Sequence, residues 1–323
     1  MKVLHLIWCT SRPLAFGQAC TAWSFRKHHP GWKIWLWLVN DGMPQEGTTS
    51  YLDRLGHDRV EVLPPAMIHP SLTSFEGLTH VLRFTLLYRF GGLYADFDIM
   101  FFHPLPFALD KDVLFVDLGA PPVFPSFPVG LLFAPMPASP FWKLVDEKAS
   151  QVKNMTGGTL LLSWLLNAKT MAGAPLDTIL DYLWQTYPPC GLWLGLRLLD
   201  VRSYRPVNPK DAPVLVAPRA PRGHQWLLAP LNPYRCFALQ WYGPHPAVAR
   251  ALPALQKTSI LGNAFSPFTT KAVKTNGVKA KAVKTKDVKA KAVKTKAVKE
   301  VRVKTPRMKS AKMKRLLAIM ARK

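Results

Sequence analysis

The sequence lacks any run of about 18 uncharged apolar residues, the length that a helix needs to cross a bilayer. Residues 1–9 are apolar over too short a stretch for a signal peptide, and His5 interrupts them. We therefore predict a soluble or peripheral protein of the cytoplasm, with no signal peptide and no transmembrane segment.

Cysteine is also scarce, with four in 323 residues and no Cys-x-x-Cys pair. This spacing matches neither a zinc site nor a small disulfide framework. Cys9 lies in an apolar run, where a free thiol packs as a small hydrophobic side chain. The pattern requires no oxidising compartment, although it leaves a disulfide open.

Acidic residues are few, since 19 Asp and Glu stand against 43 Lys and Arg. Most of the imbalance lies in residues 271–323, which hold 20 basic and two acidic residues, whereas residues 1–270 carry a net charge of only +6. Residues 271–300 are three near-copies of a ten-residue Lys/Ala/Val repeat without aromatics. Such a segment cannot bury enough apolar surface to offset the entropy of ordering. We predict one domain over 1–265 and a disordered basic tail over 266–323.

Two interpretations of this tail stay open. It is either a solvated low-complexity segment without a dedicated role, or a polyanion-binding segment that acts by counterion release. The second interpretation suits an anionic membrane surface or an acidic glycan. Because the repeat has no aromatic residues for base stacking, we expect no specific nucleic-acid recognition.

Strand-like and helix-like runs alternate along the first part of the chain. Residues 2–10, 33–41 and 60–64 predict strands, and residues 14–27 and 74–90 predict helices. This alternation indicates an α/β fold with a mainly parallel sheet, in which ligands bind beyond the carboxyl ends of the strands. The candidates at that edge are Trp8, Thr10, Asn40 and Asp41.

Residues 83–98, RFTLLYRFGGLYADFD, are the most informative segment. A mostly apolar helix that carries Arg83 ends at Gly91-Gly92, and a strand predicted over 93–102 carries Asp96 and Asp98. On a regular strand these two carboxylates point to the same face and repel each other. A Mg²⁺ or Mn²⁺ ion resolves that repulsion, so we predict a metal site that carries a diphosphate. The alternative is a structural pair that caps a helix or neutralises Arg83.

These residues resemble a known family of enzymes. Arg83, residues 91–98 and the Pro-Leu pair at 104–105 are similar to the sugar-binding region of the DXD glycosyltransferases. That family includes the yeast initiating mannosyltransferase, globotriaosylceramide synthase and capsular polysaccharide transferases. Weaker similarity at residues 6–8 and 140–159 extends the resemblance over about residues 2–245.

The resemblance implies a GT-A-type fold with a mixed, mainly parallel central sheet. It also implies a metal-dependent, retaining hexosyltransferase that uses Mn²⁺ or Mg²⁺ and a UDP- or GDP-sugar donor. The acceptor would be a glycan, a glycolipid or a protein. The implied catalytic residues are Asp96, Asp98 and Arg83, with both carboxylates at the metal and Arg83 either on the donor or against Asp96. The implied donor-binding residues are Trp8, Thr10, Asn40, Asp41, His80, Tyr94, Gly157 and Gly158.

The sequence departs from the family pattern in two places. Thr79-His80 stands where the family has Ser-Asp, and residues 239–245 are the nearest match to its closing His-x-x-x-x-Ser-Trp element. The second match makes His245 a further candidate metal ligand. These departures leave a catalytically silent glycosyltransferase-like protein as one rival, beside a polyanion-binding protein that acts through its tail.

Several candidates also have a purely structural interpretation. Trp8 and Tyr94 suit a hydrophobic core, and Asp41 suits a turn. Gly157 and Gly158 follow a threonine that suits a helix N-cap. His80 and His245 can each be packed or solvated instead of binding a ligand.

Overall fold

The structure is a computed structural model, and it describes eleven stretches of the chain. These stretches are residues 2–9, 14–39, 55–69, 72, 74–117, 126–151, 196–204, 209–217, 236–243, 245–252 and 259–276. The strands in them are β1 (Val3–Trp8), β2 (Lys33–Val39), β3 (Arg59–Leu63), β4 (Gly92–Ala95), β5 (Ile99–Phe101), β6 (Asp112–Val116), β7 (Leu131–Ala134), β8 (Leu196–Asp200) and β9 (Ala238–Gln240). The α-helices are α1 (Phe16–His28), α2 (Pro65–Ile68), α3 (Phe75–Phe90), α4 (Pro140–Gln151), α5 (Pro246–Ala251) and α6 (Ile260–Asn276).

Seven strands form one sheet in the order β3-β2-β1-β4-β7-β6-β8. β7 is antiparallel to both of its neighbours, while the other pairs are parallel. The α/β class and the mixed, mainly parallel sheet expected of a GT-A-type fold are therefore confirmed. The six parallel strands end at one edge of the sheet, and β7 begins there. This edge carries Trp8 and the start of the Asp96–Asp98 segment.

The prediction of one strand over residues 93–102 was wrong. β4 ends at Ala95, residues 96–98 form a turn, and β5 pairs with β9 in a separate two-stranded sheet. The turn is closed by the Ile99 N–H, which donates to the Asp96 carbonyl at 3.2 Å. The two aspartates therefore do not share the face of a regular strand, and any proximity between them comes from the turn.

Helix α3 and the two glycines after it place this turn. The Ser74 hydroxyl accepts a hydrogen bond from the Gly77 N–H and caps the helix, and Gly91 ends it with φ at 61°. A Cβ on Gly91 would lie 2.7 Å from the Met136 backbone, and a Cβ on Gly92 would lie 2.5 Å from the Val3 carbonyl oxygen. Both positions require glycine because the backbones approach so closely.

His5 links β1 to this glycine pair. The Trp37 indole N–H donates to His5 Nδ1 at 3.2 Å, so Nε2 carries the proton and donates to the Gly91 carbonyl at 2.8 Å. Complete burial lowers the pKa of His5 to about 4, which keeps the imidazole neutral. A neutral histidine therefore fixes the start of β4 against β1.

Helix α6 packs on α1 through aromatic contacts. Phe268 stacks on Trp23 with ring centroids 6.4 Å apart, and Phe265 meets Phe16 edge to face at 5.8 Å. The helix runs past residue 265 to Asn276, so the described fold includes residues beyond the change in composition. The tail from residue 277 lies outside the described residues. Across the described stretches, every helix is too short or too polar to serve as a membrane span.

Candidate active site

Three distant parts of the chain form hydrogen bonds with the backbone of the Asp96–Asp98 turn. The Asp96 N–H donates to the Gly130 carbonyl at 2.8 Å, and the Trp241 N–H donates to the Asp98 carbonyl at 2.8 Å. The Thr21 hydroxyl donates to the carbonyl of the residue between the two aspartates at 2.8 Å. The position of both carboxylates is therefore set by α1, by the start of β7 and by the end of β9.

Asp96 is braced at one oxygen. The Tyr94 hydroxyl donates to Oδ1 at 2.5 Å, and Arg83 Nη2 lies 3.4 Å from the same atom. The guanidinium lies over the Tyr94 ring and donates from Nη1 to the Val129 carbonyl at 2.6 Å. Arg83 and Tyr94 are 4% and 1% exposed, whereas the Asp96 side chain is 30% exposed. Oδ1 is thus occupied, and Oδ2 faces Gly130.

Asp98 is partly buried, and the hydrogen bond to its side chain is longer than the one between Tyr94 and Asp96. Nε2 of Gln240 lies 3.5 Å from its Oδ1, at the limit of a hydrogen bond. Burial, and then the negative charge of Asp96, raise the pKa of Asp98 to about 7. Arg83 pairs with Asp96, and no cation among the described residues forms an ion pair with Asp98.

Gly130 lets two of these side chains approach its backbone closely. A Cβ at this position would lie 3.0 Å from Asp96 Oδ2 and 3.5 Å from Gln240 Nε2. Carboxylate oxygens suit Mg²⁺ or Mn²⁺, which binds proteins through one or two carboxylates and takes its other ligands from phosphates and water. Within the described stretches, no group of three or more His, Cys, Asp or Glu side chains could hold a metal. Asp96 and Asp98 offer two carboxylates, the number that suits an ion with further ligands from outside the protein.

Trp8 and His80 lie near this turn. The Trp8 ring meets the Phe97 ring edge to face, with centroids 5.3 Å apart. Burial, and then the charge of Arg83, lower the pKa of His80 to about 3, so its imidazole is neutral. His80 Nε2 is 3.5 Å from Glu76, and its buried Nδ1 has no hydrogen-bond partner among the described residues. The structure places Trp8 beside the site and His80 beside its arginine.

His245 has a different position from the one expected of a metal ligand. It precedes α5, and its Nδ1 accepts a hydrogen bond from the Ala247 N–H at 3.3 Å as the N-cap of that helix. The structure does not group it with Asp96 and Asp98. The remaining predicted residues lie outside the described residues: Thr10, Asn40, Asp41, Gly157 and Gly158.

Gly130 and Gln240 were not among the predicted site residues. A glycine in or beside a strand often marks a close approach of backbones, which was the available signal for Gly130. Gln240 lies within residues 239–245, the segment that matched the closing element of the family and in which His245 was the candidate ligand. Trp241 is fully buried, and its ring would lie 2.9 Å from a Cβ on Gly17. The side chain of that segment that reaches the carboxylates is Gln240.

Comparison with known proteins gives a family. Residues 17–115 match the family model described as a glycosyltransferase sugar-binding region containing a DXD motif. The matched region includes Arg83, Asp96 and Asp98. No curated protein matches the chain.

Solved structures with some likeness include two glycosyltransferases. The PaToxG glycosyltransferase is 15% identical, with 58% of this chain and 70% of that chain covered and a TM-score of 0.37. The galactosyltransferase LgtC, solved with donor and acceptor sugar analogues, is 11% identical, with 81% and 95% covered and a TM-score of 0.36. The family match covers residues 17–115, about a third of the chain. It shows that this segment is similar to a DXD-containing glycosyltransferase sugar-binding region.

Proposed function

We propose that this protein is a glycosyltransferase that transfers a sugar from a nucleotide-diphospho donor, a UDP- or GDP-sugar, to a glycan, lipid or protein acceptor. The reaction depends on Mn²⁺ or Mg²⁺ and retains the anomeric configuration, as the family resemblance implies. The observation that carries the proposal is the position of Asp96 and Asp98. They lie in one turn at the carboxyl edge of the sheet, with one oxygen of Asp96 braced and the other facing Gly130.

Each residue of the turn has a distinct part in this proposal. Asp98 and the Oδ2 atom of Asp96 would hold the ion, which when bound would supply positive charge to the diphosphate and so make the nucleoside diphosphate a better leaving group. Arg83 and Tyr94 keep Asp96 in place, because they contact its other oxygen and are themselves buried. Of the two roles that the resemblance implied for Arg83, these contacts support the bracing of Asp96. Trp8 offers a ring beside the turn on which a base can stack.

The test is nucleoside diphosphate release from a panel of UDP- and GDP-sugars. We expect one donor to give release that EDTA abolishes and Mn²⁺ restores, with a labelled sugar recovered on an acceptor or on water. No release with any donor, together with no Mn²⁺-dependent binding of UDP or GDP by calorimetry, would contradict the proposal and favour a silent protein.

The basic tail supports a second hypothesis, in which the protein acts by binding a polyanion such as an anionic membrane. A chain that ends at Asn276 separates the two hypotheses, since it keeps the described fold and removes +16 of the net charge of +24. The proposed enzyme retains donor turnover after this truncation. Binding to vesicles with anionic lipid is measured by sedimentation. The polyanion-binding hypothesis expects the truncated chain to lose this binding.

Gly130→Ala tests the close approach of Asp96 to Gly130. The new methyl group would lie 3.0 Å from Asp96 Oδ2, so the carboxylate must move by a few tenths of an ångström. We expect the rate of transfer to fall by about 10-fold or more, because small misplacements at a reacting centre are costly. Gly31→Ala is the matched control, since its Cβ meets nothing within 4 Å. Equal rates for the two variants would show that the position of Asp96 Oδ2 against Gly130 does not matter for transfer.

A further inference from the structure

Gln240 lies beside Asp98 of the motif. Its Nε2 atom is 3.5 Å from Asp98 Oδ1 and 3.5 Å from the point where a Gly130 Cβ would lie, and Asp96 Oδ2 is 3.0 Å from that same point. The carboxamide therefore lies near both carboxylates of the proposed ion site. It is a neutral group in contact with Asp98, which forms no ion pair with a cation among the described residues.

The backbone of Gln240 is fixed from several directions. It pairs with Ile99 across the β5–β9 ladder, and its N–H donates to the Tyr204 carbonyl at 2.8 Å. The N–H of the next residue, Trp241, donates to the Asp98 carbonyl. Because these contacts fix the main chain beside the turn, the Gln240 side chain moves mainly by rotation about its own bonds.

A carboxamide can serve this site in two ways. Its NH₂ group donates to carboxylates, and its carbonyl oxygen is a ligand that hard dications accept. The present contact with Asp98 is long, so exchanging it costs little. The same side chain can thus stabilise the carboxylates without an ion and take part in holding one.

We propose that Gln240 is the third side chain of the dication site. It donates to Asp98 when no ion is present, and it turns its carbonyl oxygen toward the ion when one is bound. This inference rests on the proposed function, because it assumes that Asp96 and Asp98 hold a dication. It assigns the chain an all-oxygen set of side-chain ligands, which suits Mg²⁺ and Mn²⁺.

Two variants of the full chain test this role. Gln240→Met keeps the length of the side chain without its oxygen, and Gln240→Glu keeps the oxygen without the NH₂ group. Mn²⁺ affinity is measured by EPR titration, with and without UDP or GDP, and the melting temperature is measured in EDTA and in Mn²⁺. Gln151→Met, at the exposed end of α4, is the matched control.

We expect Gln240→Met to weaken Mn²⁺ binding by about 10-fold, the lower end of the effect of losing a supporting group at a metal site. Gln240→Glu should bind Mn²⁺ at least as tightly as the wild type. In EDTA this variant should melt at a lower temperature than the wild type, because three carboxylates then repel one another. Mn²⁺ should raise its melting temperature by more than it raises that of the wild type.

A merely structural Gln240 gives a different result. If Gln240→Met changes the melting temperature and leaves the Mn²⁺ affinity at the wild-type value, the inference is overturned. Weak binding by both variants also overturns it, because the glutamate keeps an oxygen ligand. If the wild type binds no Mn²⁺ with either nucleotide, the proposed function fails together with the inference. If the wild type binds and the variants match it, only the role of Gln240 fails.

Discussion

Asp98→Asn is expected to reduce metal-dependent sugar transfer on the order of 10³-fold, since several kcal/mol of charge stabilisation are lost with the ion and each 1.4 kcal/mol is about a factor of ten. The folded state should survive, because the asparagine is isosteric and removes a charge that Asp96 repels. The measurement is nucleoside diphosphate release with the active donor in Mn²⁺, beside thermal unfolding in EDTA.

The control for this variant is Asp110→Asn. The Asp110 side chain is 60% exposed and pairs loosely with Arg197 at 3.6 Å, so its charge is solvated and away from the motif turn. We expect this change to leave transfer at the wild-type rate. Full activity in Asp98→Asn would remove Asp98 from the ion site. A large fall in its melting temperature in EDTA would show instead that Asp98 stabilises the fold.

Arg83→Ala is expected to destabilise the protein by about 3–5 kcal/mol, the usual cost of breaking a buried ion pair. The guanidinium is 4% exposed and contacts Asp96, the Val129 carbonyl and the Tyr94 ring. Without it, the carbonyl loses a hydrogen bond and Asp96 loses the charge that balances it. Urea unfolding gives the change in free energy. The donor assay at low temperature, where the variant is still folded, gives the loss of transfer.

Arg89→Ala provides the comparison on the same helix. Arg89 lies in the last turn of α3 and is partly exposed, so we expect a change within about 0.5 kcal/mol. If Arg83→Ala is as stable as this control and still active, the guanidinium does not brace Asp96 and the assignment of its role is wrong.

The helix and the glycine break before the motif were predictable because their signals are local. Residues 74–90 carry the apolar pattern of a buried helix, and Gly91-Gly92 ends it where two backbones meet. The order of apolar strands and helices likewise indicated a mainly parallel sheet. The prediction of a site at the two aspartates rests on local signals in the same way, since the residues of the motif are neighbours in the chain.

The shape of the motif was not predictable from its residues. A regular strand over 93–102 agreed with the local pattern, yet the chain turns at Asp96 because Gly130, Thr21 and Trp241 bind its backbone. These partners come from separate parts of the sequence, and no spacing within the motif encodes them.

The sequence by itself thus predicts which groups form the site, since Arg83, Asp96 and Asp98 lie in one short segment that resembles the family motif. Packing decides which atoms of those groups remain available. Tyr94 and Arg83 occupy one oxygen of Asp96, while Gly130 and Gln240 border the other side. Gln240 is 142 residues from Asp98 in the chain, and the contact exists only because β9 pairs with β5. Such a contact depends on how distant strands pair, and a local sequence pattern carries no information about it.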